Sequence, residues 1–503
     1  MSANAERAPD QTAAPVAERA APAAAGMAAA NLAARLRGLS SYARAVFAIT
    51  LLALASRLVL LGTVPRLWGD EAFTGVAVRQ SLLGMLDVVR HDNHPPLQYL
   101  LVRAVAVAST SPGALRLVSA LAGVAAVPVA AALGRRLHGD WAGILAAAAV
   151  AAYPQFLLTS RDTRMYALAT TLVLVAALAL WRAVERPTGR RLAIYALSVA
   201  LAVYTHYFAV LAITGALLVA LVVFRPSLRT SAKLVMACAA GGVTLVPWLV
   251  VALAQFQHAG DPFWLPKVTL TSVVPDLGAT LALPPAEAVA VVAQWLGAVA
   301  AIALGVAFLR RLAPERRQDA AFLLGCAAVP TLALMLVSLY KPLYDPRFAG
   351  MFWGSAVVVL GAGLAIFRRG WMAAGAIGIL AAAATAMLLQ VHNPDFDALL
   401  APIAGHPQPG DVVVTNGPTH YFSVAYTLGP DAYPGVKVVA DQVPWFFGVA
   451  GYAPGAQVRR VPDTGGRIFL VTDAGQPDPA LPAGYQRVAH SCQEYACLDT
   501  YSR

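Results

Sequence analysis

The sequence predicts an all-α polytopic membrane protein with a small extracytoplasmic α/β domain at its C-terminal end. Of its 503 residues, 59% are hydrophobic and only 13% charged, against roughly 45–50% and 25% in soluble domains. The apolar residues gather in runs of about 20, the length needed to cross a hydrocarbon core of about 30 Å. After residue 390 the runs give way to short β-rich segments between Gly, Pro and Asp turns, the pattern of a small mixed domain. A soluble enzyme and a disordered regulator are excluded by this composition alone.

Residues 1–41 are rich in Ala and Pro without periodicity and read as a disordered cytoplasmic tail. The first span is expected at 42–63. An outer loop, 64–112, follows; its apolar piece Leu97–Ala108 is too short to span and reads as an interfacial or re-entrant helix. Ten further spans are expected at 114–134, 140–158, 166–182, 191–206, 208–224, 232–254, 288–309, 320–339, 349–367 and 371–390, completing a membrane module over 42–390.

The chain carries 37 Lys and Arg against 26 Asp and Glu, a formal charge of +11. Arg135 and Arg136, Arg182 to Arg191, Arg225 to Lys233, Arg310 to Arg317, and Arg368 and Arg369 all fall in the loops that are cytoplasmic when the N-terminus is inside. The positive-inside rule thus supports eleven spans, N-in and C-out, and would be violated if Leu97–Ala108 crossed the membrane. Because the surplus is topological, nucleic acid is not expected as a partner.

Residues 391–503 then form an external domain, with strands expected at Asp411–Thr415, Lys437–Ala440 and Arg467–Thr472. Cys492 and Cys497 lie close together there and are either a disulfide, which an external location permits, or two free thiols. Cys238 and Cys326 sit in apolar runs and read as buried thiols.

The polar motifs fall on the outer side of this topology. Asp70 and Glu71 follow the first span; such a pair is either juxtamembrane or a source of a general base or metal ligand. The run His91-Asp92-Asn93-His94-Pro95-Pro96 supplies hydrogen-bonding groups for a polar substrate, or turn chemistry. Asp70, Glu71 and His94 are candidate ligands for a divalent metal, whose presence is left open. Arg161 and Arg164, with Tyr166, match a phosphate in charge and forked geometry, or contact ordinary lipid headgroups. His206 and Tyr207 share an outer turn, and Tyr344 precedes Asp345-Pro346-Arg347, where Arg347 opens another span. Ionisable groups clustered at one membrane face point to a site. No phosphate-binding glycine motif of the nucleotide-binding kinds is present.

The order WGDEAF (68–73), HPPLQYLL (94–101), GRRLHG (134–139), RDTRMYAL (161–168), YTHYFA (204–209) and DPRF (345–348) resembles GT-C glycosyltransferases of the group that holds the protein O-mannosyltransferases, the lipid A aminoarabinose transferases and the Rgt-like sugar transferases, a family 39-like group. The resemblance spans about 45–370. It implies a plasma- or inner-membrane enzyme that moves a sugar from a polyprenyl-phosphate donor to a glycan, lipid or protein acceptor at the extracytoplasmic face, with inversion. It implies Asp70 as catalytic base beside Glu71, and Arg161, Arg164, Tyr166 and Arg347 at the donor phosphate. His91, Asn93, His94, His206, Tyr207 and Tyr344 are then expected at the substrate. No cofactor is fixed by the resemblance, and a divalent metal stays open. The alternatives are a transporter or flippase of lipid-linked sugars, and an assembly subunit of the cell envelope.

Overall fold

The computed structural model describes residues 38–63, 66–258, 302–367, 369–390, 393–404 and 408–503, with Leu265, Val268, Thr269 and Val299 as isolated positions. Nearly all of the expected tail with its arginines, most of the expected span at 288–309, and Arg368 therefore lie outside the described residues.

Helix α1 (Ser41–Thr63) is followed by α2 (Gly69–Arg79), α3 (Leu82–Arg90) and α4 (Leu97–Ala106). Helix α4 starts after Pro96, a residue suited to a helix start, and its ten residues are too few to cross a bilayer. Two expected spans lie end to end in α5 (Pro112–Ala152), where His138 (φ −153°, ψ 37°) and Gly139 (φ 80°) leave the helical region. A positive φ is readily adopted by glycine, so the turn falls within the GRRLHG motif. The expected continuation to residue 158 stops at Ala152. Pro154 biases Tyr153 away from helix, and Tyr153 is extended (ψ 127°) before the short α6 (Pro154–Ser160).

Next come α7 (Tyr166–Glu185), α8 (Gly189–Thr205) and α9 (Ala209–Phe224), then α10 (Leu228–Val243) and α11 (Val246–His258). The single span expected at 232–254 is instead this last pair, bent by 71°. Helical residues 302–311 precede α12 (Pro314–Tyr340), α13 (Pro346–Gly350), α14 (Gly354–Gly363) and α15 (Gly370–Gln390). Among the described residues, four helices are long and apolar enough to cross a membrane: Ser41–Gly62, Pro112–Ala152, Tyr166–Glu185 and Pro314–Tyr340; the bent pair adds a fifth candidate. The main helical core is rich in alanine, with Ala126, Ala130, Ala146, Ala177 and Ala212 buried among Leu174, Phe322 and Phe352. Small side chains let membrane helices approach closely.

The C-terminal unit comprises α16 (Phe396–Ala404), β1 (Val412–Asn416), α17 (Tyr421–Leu428), β2 (Val436–Val439), β3 (Gln457–Val458), β4 (Ile468–Asp473), β5 (Gln486–Gln493) and β6 (Ala496–Ser502). Its sheet has the order β3-β2-β1-β4-β6-β5. β1 runs parallel to β2 (Val413 opposite Val436) and to β4 (Val412 opposite Ile468), while β6 is antiparallel to β4 and β5. The hairpin of β5 and β6 pairs Cys492 with Cys497, which are joined by a disulfide.

One hydrophobic cluster ties this unit to the loop after α1 and to the start of α7, joining Phe73, Val88, Tyr99 and Tyr166 to Phe396, Leu400, Phe422 and Val438. Phe73 meets Phe422 edge-on at 5.1 Å. It also fills a notch over Gly448 and Gly451, where an added Cβ would lie 2.7 and 2.9 Å from its ring. A cavity of about 450 Å³ is left between the two parts.

Candidate functional site

Helix α2 carries its two acids in the first turn, where the helix dipole favours negative charge. Consecutive helical residues diverge by about 100°, so Asp70 and Glu71 cannot serve one spot. Asp70 lines the cavity and is half-exposed, with its Oδ2 3.9 Å from Arg347 Nη1. Glu71 is buried. Arg116 of α5 donates to it through Nε at 2.7 Å and Nη2 at 2.6 Å, and the backbone N–H of Thr163 donates to its Oε1 at 3.0 Å. Arg116 Nη2 also donates to the Arg66 carbonyl at 2.7 Å. This buried pair fastens the first turn of α2 to α5 and to the loop carrying Arg164.

That loop, between α6 and α7, sends its arginines apart. Arg161 is buried and donates to the Leu388 carbonyl of α15 at 3.2 Å. Arg164 lines the cavity. It donates to Tyr99 Oη at 3.1 Å and lies 3.1 Å from His94 Nδ1, while its own N–H donates to Asp162 Oδ1 at 3.0 Å. Its buried Nε has no hydrogen-bond partner among the described residues. Tyr166 and Arg347 line the same space. Arg347 is steadied by Asp345, whose Oδ1 accepts from its N–H at 2.7 Å and its Nε at 3.2 Å.

Opposite Arg164, the turn after α3 contributes Asp92, Asn93 and His94 to the cavity. Tyr99 Oη donates to Asp92 Oδ2 at 2.9 Å, and His94 Nδ1 lies 3.2 Å from the same oxygen. Burial alone would raise the Asp92 pKa, but His94, Arg164 and Tyr99 outweigh it and hold the carboxyl below its ordinary value. Burial and the Arg164 charge push the His94 imidazole down despite Asp92. Burial, reinforced by Glu71, raises Asp162 to about 7.

The other expected residues are more dispersed. His91 is exposed and bonds the Asp87 carbonyl at 2.8 Å. His206 packs against His94 at 5.6 Å and Phe348 at 5.8 Å, just behind the cavity wall, and its buried Nε2 has no hydrogen-bond partner among the described residues. Tyr207 accepts from Trp248 Nε1 at 2.9 Å and donates to Gln255. Tyr344 is buried in the helical core. Asp70, Glu71 and His94 do not gather as metal ligands: among the described residues the trio with close ligand atoms is His490, Cys492 and Cys497, whose sulfurs are bonded to each other. With both Glu71 oxygens engaged by Arg116, the expected trio does not fit a metal.

Sequence reasoning missed Arg116, Tyr99, and the whole C-terminal side of the cavity, formed by residues such as Thr419, His420, Phe447 and Tyr495. Arg116 carried a usable signal: an arginine inside an apolar run demands a buried partner. The same holds for Arg57 of α1, buried and donating to Ser160 Oγ at 3.3 Å and to the Ala151 carbonyl at 3.4 Å.

With a cavity lined by Asp70, Asp92, Arg164 and Arg347, the chain is similar in fold to solved structures of an ArnT and of an oligosaccharyltransferase. The model of the dolichyl-phosphate-mannose-protein mannosyltransferase family matches residues 93–251. Two crystal structures of ArnT from Cupriavidus metallidurans are similar over nearly their whole length. The form bound to undecaprenyl phosphate has TM-score 0.62 and 13% identity, covering 90% of this chain and 97% of that one. The apo form has TM-score 0.63 and 14% identity, covering 92% and 98%. The apo oligosaccharyltransferase of Archaeoglobus fulgidus is more distant, with TM-score 0.52 and 12% identity over 85% of this chain and 69% of that one. No curated protein matches the chain by sequence.

Proposed function

We propose that this chain is a membrane glycosyltransferase that moves a sugar from a polyprenyl-phosphate donor to an acceptor hydroxyl at the extracytoplasmic face, with inversion at the anomeric carbon. The observation that carries the reading is the convergence of Asp70, Arg164 and Arg347 on one cavity. Further support comes from the likeness to the mannosyltransferase family model and to an ArnT structure holding undecaprenyl phosphate. Eleven spans, N-in and C-out, are part of the proposal, supported by the arginine-rich alternate loops.

In this mechanism the acceptor oxygen attacks the anomeric carbon from the face opposite the leaving group. The bond from that carbon to the phosphate oxygen breaks, and its electron pair leaves with the lipid phosphate. Asp70 takes the acceptor proton and later releases it to solvent. General-base catalysis of this kind contributes about 10²–10⁴-fold. A lipid phosphate needs no strong acid to leave; its charge is met by the forks of Arg164 and Arg347 at the membrane boundary. Arg161, buried against Leu388, supports the loop of Arg164. Glu71, held by Arg116, fixes the direction of Asp70.

The test is incubation of the purified protein with a panel of polyprenyl-phosphate sugars and candidate acceptors, reading release of lipid phosphate. Turnover is expected with at least one donor, and Asp70→Asn should lower it about 10²–10⁴-fold. A folded Asp70→Asn protein with full transfer would refute the base assignment.

A further inference from the structure

The two walls of the cavity differ in charge. Asp70, Asp92, Arg164 and Arg347 all come from the helical part, whereas the described lining residues of the C-terminal unit bear no formal charge. They offer the hydroxyls of Thr419 and Ser423, the imidazole of His420 and the rings of Phe422, Phe447 and Tyr495.

His420 is set for one role. Its Nε2 lies 2.9 Å from Asp473 Oδ1; a carboxylate can only accept, so Nε2 carries the hydrogen and Nδ1 is left as an acceptor. Burial pushes the imidazole below its usual range in spite of Asp473, keeping the ring neutral. Tyr495 stacks on His420 with centroids 6.0 Å apart, and Phe396 packs at 5.6 Å. A wall of this kind has no counter-charge for an anionic ligand. It suits a molecule that is apolar on one face and rich in hydroxyls at its edges: C–H groups rest on the negative ring faces while hydroxyls pair with neutral donors and acceptors.

Resting on the glycosyltransferase reading above, we infer that the C-terminal unit supplies the acceptor subsite, and that the acceptor it takes is an uncharged sugar. A hydroxyl of that sugar donates to His420 Nδ1, its ring lies on Phe447 or Tyr495, and Thr419 meets a second hydroxyl. The anionic end of the reaction is thereby confined to the helical wall, with the nucleophile delivered from the neutral one.

The experiment uses the full-length protein in lipid nanodiscs. Saturation-transfer NMR is recorded with uncharged manno-, gluco-, galacto- and arabino-oligosaccharides, and undecaprenyl phosphate is titrated separately. At least one oligosaccharide should bind. Tyr495→Ala and Thr419→Ala, both at exposed positions, and His420→Asn should each weaken it about three- to tenfold, the worth of one neutral contact, while undecaprenyl phosphate affinity is unchanged. The inference is overturned if the wild type binds none of the sugars, if all three variants bind as the wild type does, or if an anionic phosphoglycolipid is what those variants lose. Failure of the wild type to bind undecaprenyl phosphate would overturn the donor reading, and the acceptor role with it.

Discussion

Arg116→Met tests the most consequential buried contact around the site. The Arg116 and Glu71 side chains are 1% and 2% exposed, so removing the guanidinium strands a carboxylate out of reach of water. Breaking a buried pair from one side costs about 3–5 kcal/mol, equivalent to about 10²–10⁴ in the folding equilibrium. The Arg66 carbonyl loses its donor as well. In the double variant Arg116→Met, Glu71→Leu the stranded charge is gone. What remain are the unpaired Thr163 N–H, an orphan costing about 1–3 kcal/mol, and the Arg66 carbonyl, whose loss the single variant shares. The double variant should therefore be more stable than the single one. Unfolding in mixed micelles, followed by tryptophan fluorescence across a denaturing-detergent titration, measures both. A single variant within about 1 kcal/mol of the wild type, or a double variant worse than the single, would refute the account of Glu71 as a clamped rather than reactive acid.

Two further outcomes follow from the same geometry. Arg164→Lys keeps the charge but loses the planar fork that reaches Tyr99 and His94; undecaprenyl phosphate should bind about 10–100-fold more weakly, as expected for charge-assisted hydrogen bonds, and unchanged affinity in a direct titration would remove Arg164 from the phosphate. Asp162, raised to about 7 in the fold from about 3.9 when unfolded, binds its proton more tightly in the native state, so its contribution favours folding at low pH and is lost as pH rises from about 4 through 7. Asp162→Asn, whose Oδ1 can still accept from the Arg164 N–H, should flatten that part of the stability profile; a profile identical to the wild type's would contradict it.

What the sequence revealed about the cavity was its chemistry more than its geometry. Asp70, His94, Arg164 and Arg347 stand out as ionisable groups beside apolar runs, and hydrophobic periodicity sets the helical background against which they are visible. The separate fates of Asp70 and Glu71 are helical geometry too, but knowing which one faces the cavity requires Arg116, which is 45 residues away. Arg161 and Arg164 could not be told apart because the turn holding them has no regular period to assign faces. The expected span at 232–254 divides into α10 and α11, and the signal for the bend is Pro247 in the first turn of α11, since a proline in an apolar helical run kinks or ends the helix just before it. His420 and Tyr495 were invisible because strands and loops far apart in sequence bring them together, and neither sits in a motif.

The seating of Phe73 over Gly448 and Gly451 gives the C-terminal unit a mechanical hold on the helix that carries Asp70. Phe73 is one turn beyond Asp70 on α2, and the close fit of its ring leaves little play. The neutral wall and the carboxylate are thus parts of a single jaw. Exchanging the C-terminal unit for one from a relative would move the hinge as well as the tooth, so a graft of that unit has to keep Phe73 matched to its two glycines.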